Sequence, residues 1–285
     1  MRDVTKFASF IILLLTATTP IISANSSLQN EATVYSIGTV QYENDGSDVI
    51  FIPPTGFEDS ILFEYGAESG SLQSTFHWIG EEGGAASDVS IVSSPVRSGS
   101  KSIKFTAQSS SINGRSRASV NFDGVTAYYV SYWTFFPSNY DIDFRDYAFD
   151  EKYFADGYTF NLHKTTIGKN GGAFKLCAPE HLGSAWSTKT IPLGQWIHFQ
   201  LYLKLGTSNG VCQVWQDDVL VFNFVNVDTA TAWTRPQVTP DRVAPVISNA
   251  AFGVYLDSSE SNIVTRFIDD IVVATQKVPM SYRVN

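Results

Sequence analysis

An all-β fold, two antiparallel sheets packed as a sandwich, is what this sequence predicts, on three observations. Ile197, Phe199, Leu201, Leu203 and Leu205 alternate with His198, Gln200, Tyr202 and Lys204, and strict period two over this length marks a strand with one face on a core. Asn209-Gly210 and Asp217-Asp218 then supply tight-turn chemistry around residues 211–216 and 219–224, giving a meander. Finally, no segment has a helical period, and short apolar runs separated by Gly, Asn, Asp and Ser recur along the chain, the pattern of a sandwich.

The 285 residues are 44% hydrophobic and 14% aromatic, enough for one large β domain with its own core. Residues 1–24 read as an export signal: Arg2 and Lys6, an apolar run from Phe7 to Leu15, then Ile22-Ser23-Ala24. That run is short for a membrane span, and an uncleaved N-terminal anchor is the alternative; no integral span is expected after signal removal, and the protein is expected to be secreted or at the cell surface. Losing Arg2, Lys6 and Asp3 leaves 17 basic and 27 acidic residues, net −10. Such a chain without a basic stripe is a poor nucleic-acid binder, and an acidic ligand would need a local basic pocket. Cys177 and Cys212, both in expected strands, are either a disulfide pair, as export would allow, or two buried thiols.

Residues 25–60 read as a tail or linker with room for an edge strand in the apolar runs Val34 to Val40 and Val49 to Ile52, 61–276 as the domain and 277–285 as a C-terminal tail. Strands are expected at 61–64, 89–92, up to Phe105, 115–122, 127–136, 157–166, 173–177, 188–192, the central meander, 250–256 and 264–274. Residues 138–157 and 226–250 read as long loops.

Three landmarks stand in order along the chain: Phe63-Glu64 and Glu68-Ser69-Gly70 with residues 94–105; Gly194-Gln195-Trp196 with the meander and Val214-Trp215-Gln216-Asp217; and Phe267-Ile268-Asp269-Asp270-Ile271-Val272-Val273. Together they resemble the concanavalin A-like jelly rolls, and within these the polysaccharide-lyase-like domains related to heparin and glucuronan lyases, over about residues 61–276. The resemblance implies a jelly-roll sandwich whose concave sheet holds a polysaccharide. It also implies a calcium ion tying the first strand to the last, with Glu68, a carbonyl near residues 98–101, and Asp269 or Asp270 as ligands, since calcium takes oxygen donors.

Thr159, Asn161 and His163 share one face of their expected strand, as His198, Gln200, Tyr202 and Lys204 share a face of theirs. If both faces line one trough, they collect the residue types that β-elimination on a uronic acid needs. A cation or amide holds the carboxylate, a neutral His or Tyr removes the C5 proton, and Tyr protonates the leaving oxygen. By analogy with the related lyases, Asn161 or Gln200 would neutralise, His163 or His198 would be the base, and Tyr202 or Tyr255 the acid. Arg115 and Arg117 would add positive charge, Lys204 would contact substrate, and Trp186 and Trp233, in Ser/Thr-rich loops, are candidate stacking platforms. The Arg-x-Glu-x-Arg and Gln-Ile-His signatures of alginate lyases are missing; Asn161-Leu162-His163 is a distant echo of the second. A lectin-like or adhesion module without catalysis is the alternative, and a structural envelope protein a further one. Hydrolysis would need paired carboxylates on one strand, whereas Asp141, Asp143, Asp150 and Glu151 fall in an expected loop.

Overall fold

The computed structural model describes residues 39–42, 49–52, 57–68, 70–82, 86–109, 114–142, 146–155, 158–178, 182–183, 185–232, 242–256 and 262–284. The expected export signal and Trp233 lie outside them. Among the described residues no helix is long and apolar enough to cross a membrane.

Two antiparallel sheets face each other as a jelly-roll sandwich. In spatial order, the seven-stranded sheet comprises β12 (Trp186–Thr190), β11 (Ala173–Cys177), β10 (Tyr158–Asn170), β9 (Asp146–Ala155), β18 (Ile247–Tyr255), β7 (Arg115–Val125) and β4 (Trp78–Glu82). The eight-stranded sheet comprises β15 (Val219–Val227), β14 (Gly210–Gln216), β13 (Trp196–Lys204), β8 (Ala127–Phe135), β19 (Ile263–Ala274), β6 (Ser102–Gln108) and β5 (Asp88–Val92), with β3 (Ile61–Tyr65) also paired to β19. Short hairpins β1 (Thr39–Tyr42) with β2 (Val49–Ile52), and β16 (Thr231–Ala232) with β17 (Arg242–Val243), complete the pairing.

The core is the set of inward positions that alternation picks out. Ile197, Phe199, Leu201 and Leu203 of β13 join Phe105, Tyr132, Phe149, Phe252 and Val254. Phe199 meets Tyr132, Phe136 and Phe149, so aromatic rings from both sheets interlock.

The meander holds, with a different first turn. Asp217 and Asp218 both take left-handed φ, 48° and 58°, as a two-residue hairpin with the twist of its strands requires. Asn209-Gly210 is not such a turn: β13 and β14 are joined by residues 205–209, and Gly210 is already in β14. A Cβ on Gly210 would lie 2.2 Å from Thr229 Oγ1 and 2.6 Å from Val227 O, so the glycine serves close backbone approach.

Residues 138–157, expected as loop, contain β9, which lies between β10 and β18. Its polar sequence hid it, because Asp146 points inward and is neutralised there by Arg266. The strand β4 was also not foreseen.

Residues 275–284 pack across the outer face of the eight-stranded sheet. Gln200 Nε2 donates to Val278 O at 2.9 Å, and Val278 N donates to Gln200 Oε1 at 3.3 Å. Val284 N donates to Asp270 Oδ1. Phe57, Val272, Ala274, Val278 and Val284 form a small second core beneath.

Candidate functional site

The shared trough expected from the two polar strand faces does not exist. β10 belongs to the seven-stranded sheet and β13 to the eight-stranded one. His163 points into the core, 1% exposed, with Nδ1 3.6 Å from Cys212 Sγ of the opposite sheet and Nε2 2.8 Å from Thr165 Oγ1. The ladder register shifts between Asn161 and His163, and for Asn161 only that register is described, opposite Lys152.

His198 and Gln200 lie on the outer face of the other sheet, and both are buried there. The His198 ring is bonded to Ser131 Oγ at 2.7 Å through Nε2 and packs on Trp133. Burial holds it well below the usual histidine range, at about 4, with Asp217 opposing and Arg283, Lys277 and Arg97 adding to the fall. Gln200 is engaged by Val278. Tyr202 stacks on Tyr129, ring centres 4.6 Å apart, and Lys204 is exposed at the end of β13. These residues share one face, which the C-terminal tail covers in part, so the expected amide and histidine stand beside Tyr202 but are buried and engaged within the protein.

Cys177 and Cys212 are not bridged. Both are buried thiols, and loss of hydration pushes the Cys212 thiol far up, which leaves it inert.

A different cluster does assemble on the outer face of the seven-stranded sheet. On β7, Ala118 and Val120 enter the core while Arg115 and Arg117 take the other face. Their neighbours across the ladder are Tyr255 and Gly253 of β18. The guanidinium carbons lie 5.6 Å (Arg115) and 5.5 Å (Arg117) from the Tyr255 ring centre. From the other side, Lys164 Nζ of β10 lies 6.0 Å from the Tyr255 ring and 4.9 Å from that of Tyr147 on β9. The Tyr147 and Tyr255 rings are 4.9 Å apart, inclined at 50°. Three cations and two phenols from four adjacent strands thus meet over one patch.

Lys175 continues the patch on β11, where its neighbours Phe174 and Leu176 enter the core. Half-buried Trp186 pairs with Cys177 at the sheet's far edge. Register also sets Glu82 opposite Arg115 and Asp150 opposite Lys164.

Of the residues expected to meet substrate, Arg115, Arg117 and Tyr255 are brought together, Trp186 lies on the same sheet, and Lys204 is elsewhere. Tyr147 and Lys164 were missed. Tyr147 fell in the expected loop, and alternation set Lys164 on the expected apolar face, whereas it is His163 that enters the core. An aromatic-cation alternation read on β9 and β10 together would have found them.

The carboxylates expected to bind calcium gather around one turn. Glu68 accepts from Ser100 N and Lys101 N at 2.8 and 2.9 Å, and from Ser100 Oγ. Asp269 Oδ2 accepts from the amides of Arg97 and Ser98, and Asp270 Oδ1 from Ser98 Oγ. Asp270 takes φ 50°, and a break in ladder register follows Asp269, so the two adjacent aspartates reach the same turn. Among the described residues no three His, Cys, Asp or Glu side chains are grouped as a metal site. Asp270 Oδ2, however, is buried with no hydrogen-bond partner, and a buried orphan carboxylate oxygen beside a turn fits an oxygen-seeking cation.

No protein-family model matches this sequence, and no curated protein does. Solved structures do share the fold. An endo-β-1,4-glucuronan lyase of the fungus Trichoderma reesei matches with a TM-score of 0.56 at 16% identity, over 76% of this chain and 96% of its own. The cellulose-induced protein Cip1 matches at 0.50 and 17%, over 76% and 98%. The alginate lyase Aly36B matches at 0.50 and 14%, over 77% and 94%. The chain therefore shares the jelly-roll fold of these structures.

Proposed function

We propose that the outer face of the seven-stranded sheet binds a uronic-acid-containing polysaccharide and cleaves it by β-elimination. The observation that carries this is the convergence of Arg115, Arg117 and Lys164 on the Tyr147–Tyr255 pair. In a protein of net charge −9, a local group of cations beside aromatic faces suits a polymer that is both anionic and built of stackable rings. The fold shared with a glucuronan lyase and an alginate lyase supports the same reading.

The chemistry follows from the residue types. Arg117 or Arg115 pairs with the uronate carboxylate, which lowers the cost of removing the neighbouring C5 proton. One tyrosine acting as its phenolate takes that proton and becomes a phenol, the C4–C5 double bond forms as the C4–O bond breaks, and a neutral phenol returns a proton to the leaving oxygen. Tyr255, with cations on both flanks, takes the acid role that the sequence had divided between Tyr202 and Tyr255, and Tyr147 stands beside it as the second phenol. The protein would act outside the cell, where such polymers occur, as the expected export signal requires.

Binding without cleavage is the second reading. It is favoured by the placement of His163 and His198 away from this patch, which leaves tyrosine alone as base. Incubating the full-length protein with polymannuronate, polyguluronate, glucuronan and neutral glucans separates the two. Growth of ultraviolet absorbance from unsaturated ends supports elimination. Saturable binding of uronates without absorbance supports the lectin-like reading. Equal indifference to charged and neutral polymers would end both.

A further inference from the structure

The two tyrosines of the patch are held from behind by a charge pair inside the sandwich. Asp146 Oδ1 accepts the backbone N–H of Tyr147 at 2.7 Å and that of Tyr255 at 3.0 Å. Its Oδ2 accepts from the Tyr140 hydroxyl at 3.1 Å and faces Arg266 Nη1 at 3.3 Å. Arg266 Nη1 also donates to Tyr147 O at 3.1 Å, and Nη2 to Gly253 O. Both charged side chains are fully buried.

The backbone ladder between β9 and β18 covers Asp150 to Lys152 opposite Ala251 to Asn249. Beyond it, towards Tyr147 and Tyr255, one carboxylate joins the two strands by taking an amide from each. The guanidinium closes the arrangement on a carbonyl from each. A buried ion pair is a costly way to fill a core, since apolar residues of similar volume often serve stability as well or better. What this pair does that apolar residues cannot is fix two backbones by four hydrogen bonds at the point where their side chains form the site.

Resting on the reading of the patch given above, we propose that Asp146 and Arg266 are positioning residues: they set the mutual placement of the Tyr147 and Tyr255 rings and so the site's fit to its sugar. Neither side chain meets substrate; both act through the two tyrosine backbones. A site on neighbouring strands needs such support, because misplacement by about an ångström can cost on the order of a hundredfold in rate.

The test uses full-length protein with isotopically labelled tyrosine. Ring resonances are assigned with Tyr147→Phe and Tyr255→Phe, and the variants are Asp146→Asn and the double change Asp146→Asn with Arg266→Met. The double change leaves no uncompensated buried charge and keeps the test open if the single variant does not fold. Ile197→Val, a trim of the core in the other sheet, is the stability control. The expected result is that both ring signals move in the Asp146 variants and uronate oligosaccharide affinity falls about tenfold or more, while Ile197→Val leaves both unchanged. Unmoved ring signals, or an affinity loss shared by Ile197→Val, would overturn the proposal. Should the wild type bind no uronate, the reading of the patch falls by itself, and the ring signals still decide whether the ion pair sets the tyrosines.

Discussion

Gln200 and Val278 hold each other through both of the amide's polar atoms, at 2.9 and 3.3 Å, although 78 residues separate them in the chain. The glutamine is fully buried beneath the tail. Gln200→Ala removes both bonds and leaves a buried amide and carbonyl of the tail without partners. A loss of about 2–3 kcal/mol is expected, read as a lower urea midpoint. Affinity for uronate polymers is expected to stay at the wild-type level, because the patch lies on the other sheet. A loss of binding at unchanged stability would return Gln200 to the site.

Arg117 is mostly buried, 4% exposed, and lies beside Gly253 with its guanidinium near Tyr255. A carboxylate reaching it would be partly desolvated, so the pairing is strong and geometrically strict. Arg117→Ala is expected to weaken uronate binding by about 2 kcal/mol, or roughly thirtyfold. Arg117→Lys should recover only part, since a point charge does not reproduce a planar fork. Binding should weaken with added salt, less steeply in the variant. Unaltered uronate titrations in Arg117→Ala would remove this residue from the site.

The sequence carried the sandwich well, because period two survives wherever one face is buried: the residues from Ile197 to Lys204 needed no tertiary knowledge. It carried half of the patch for the same reason, since Arg115 and Arg117 alternate with Ser116 and Ala118 on an unbroken strand. It failed where alternation is interrupted or where a charge goes inward. His163, read as a site residue, enters the core, and the ladder register shifts just before it. Asp146 inside the core made a central strand read as loop, and its partner Arg266 is 120 residues away in the chain. Nor does a polar strand face announce its cover. His198 and Gln200 look like a functional surface until a C-terminal segment is laid over them, and that contact has no local signature.

Calcium is proposed to sit where Asp270 Oδ2 is buried without a partner, with Asp269 and Glu68 on the same turn. Calcium at a hundred times its dissociation constant would stabilise the fold by about 2.7 kcal/mol. The expected outcome is a melting temperature that rises with added calcium and falls back in chelator. Asp270→Asn should abolish the increment. A melt indifferent to both calcium and chelator would show that the amide and hydroxyl donors around these carboxylates suffice.

His198 gives a sign to the acid limb of stability. Its folded value lies near 4, below the ordinary 6.5, chiefly because burial disfavours the charged ring. Between those values the unfolded chain binds the extra proton and the folded one does not, so stability rises with pH across this window. The contribution is complete above about pH 6.5 and is lost as the pH falls towards 4, on the order of 3 kcal/mol in all. With calcium removed by chelator, Asp269 works in the opposite sense: burial raises it from 3.8 to about 7, so the folded state holds the proton longer and stability falls as pH rises between those limits. The wild-type profile is therefore blunted, and its slope alone does not isolate either group. His198→Gln keeps the Asp269 contribution and deletes the other. The melting temperature at pH 5 minus that at pH 7 is expected to be more positive in the variant than in the wild type, whatever the sign of either difference. Parallel profiles would mean that the ring accepts a proton in place, beside Ser131 and Asp217, without cost to the fold.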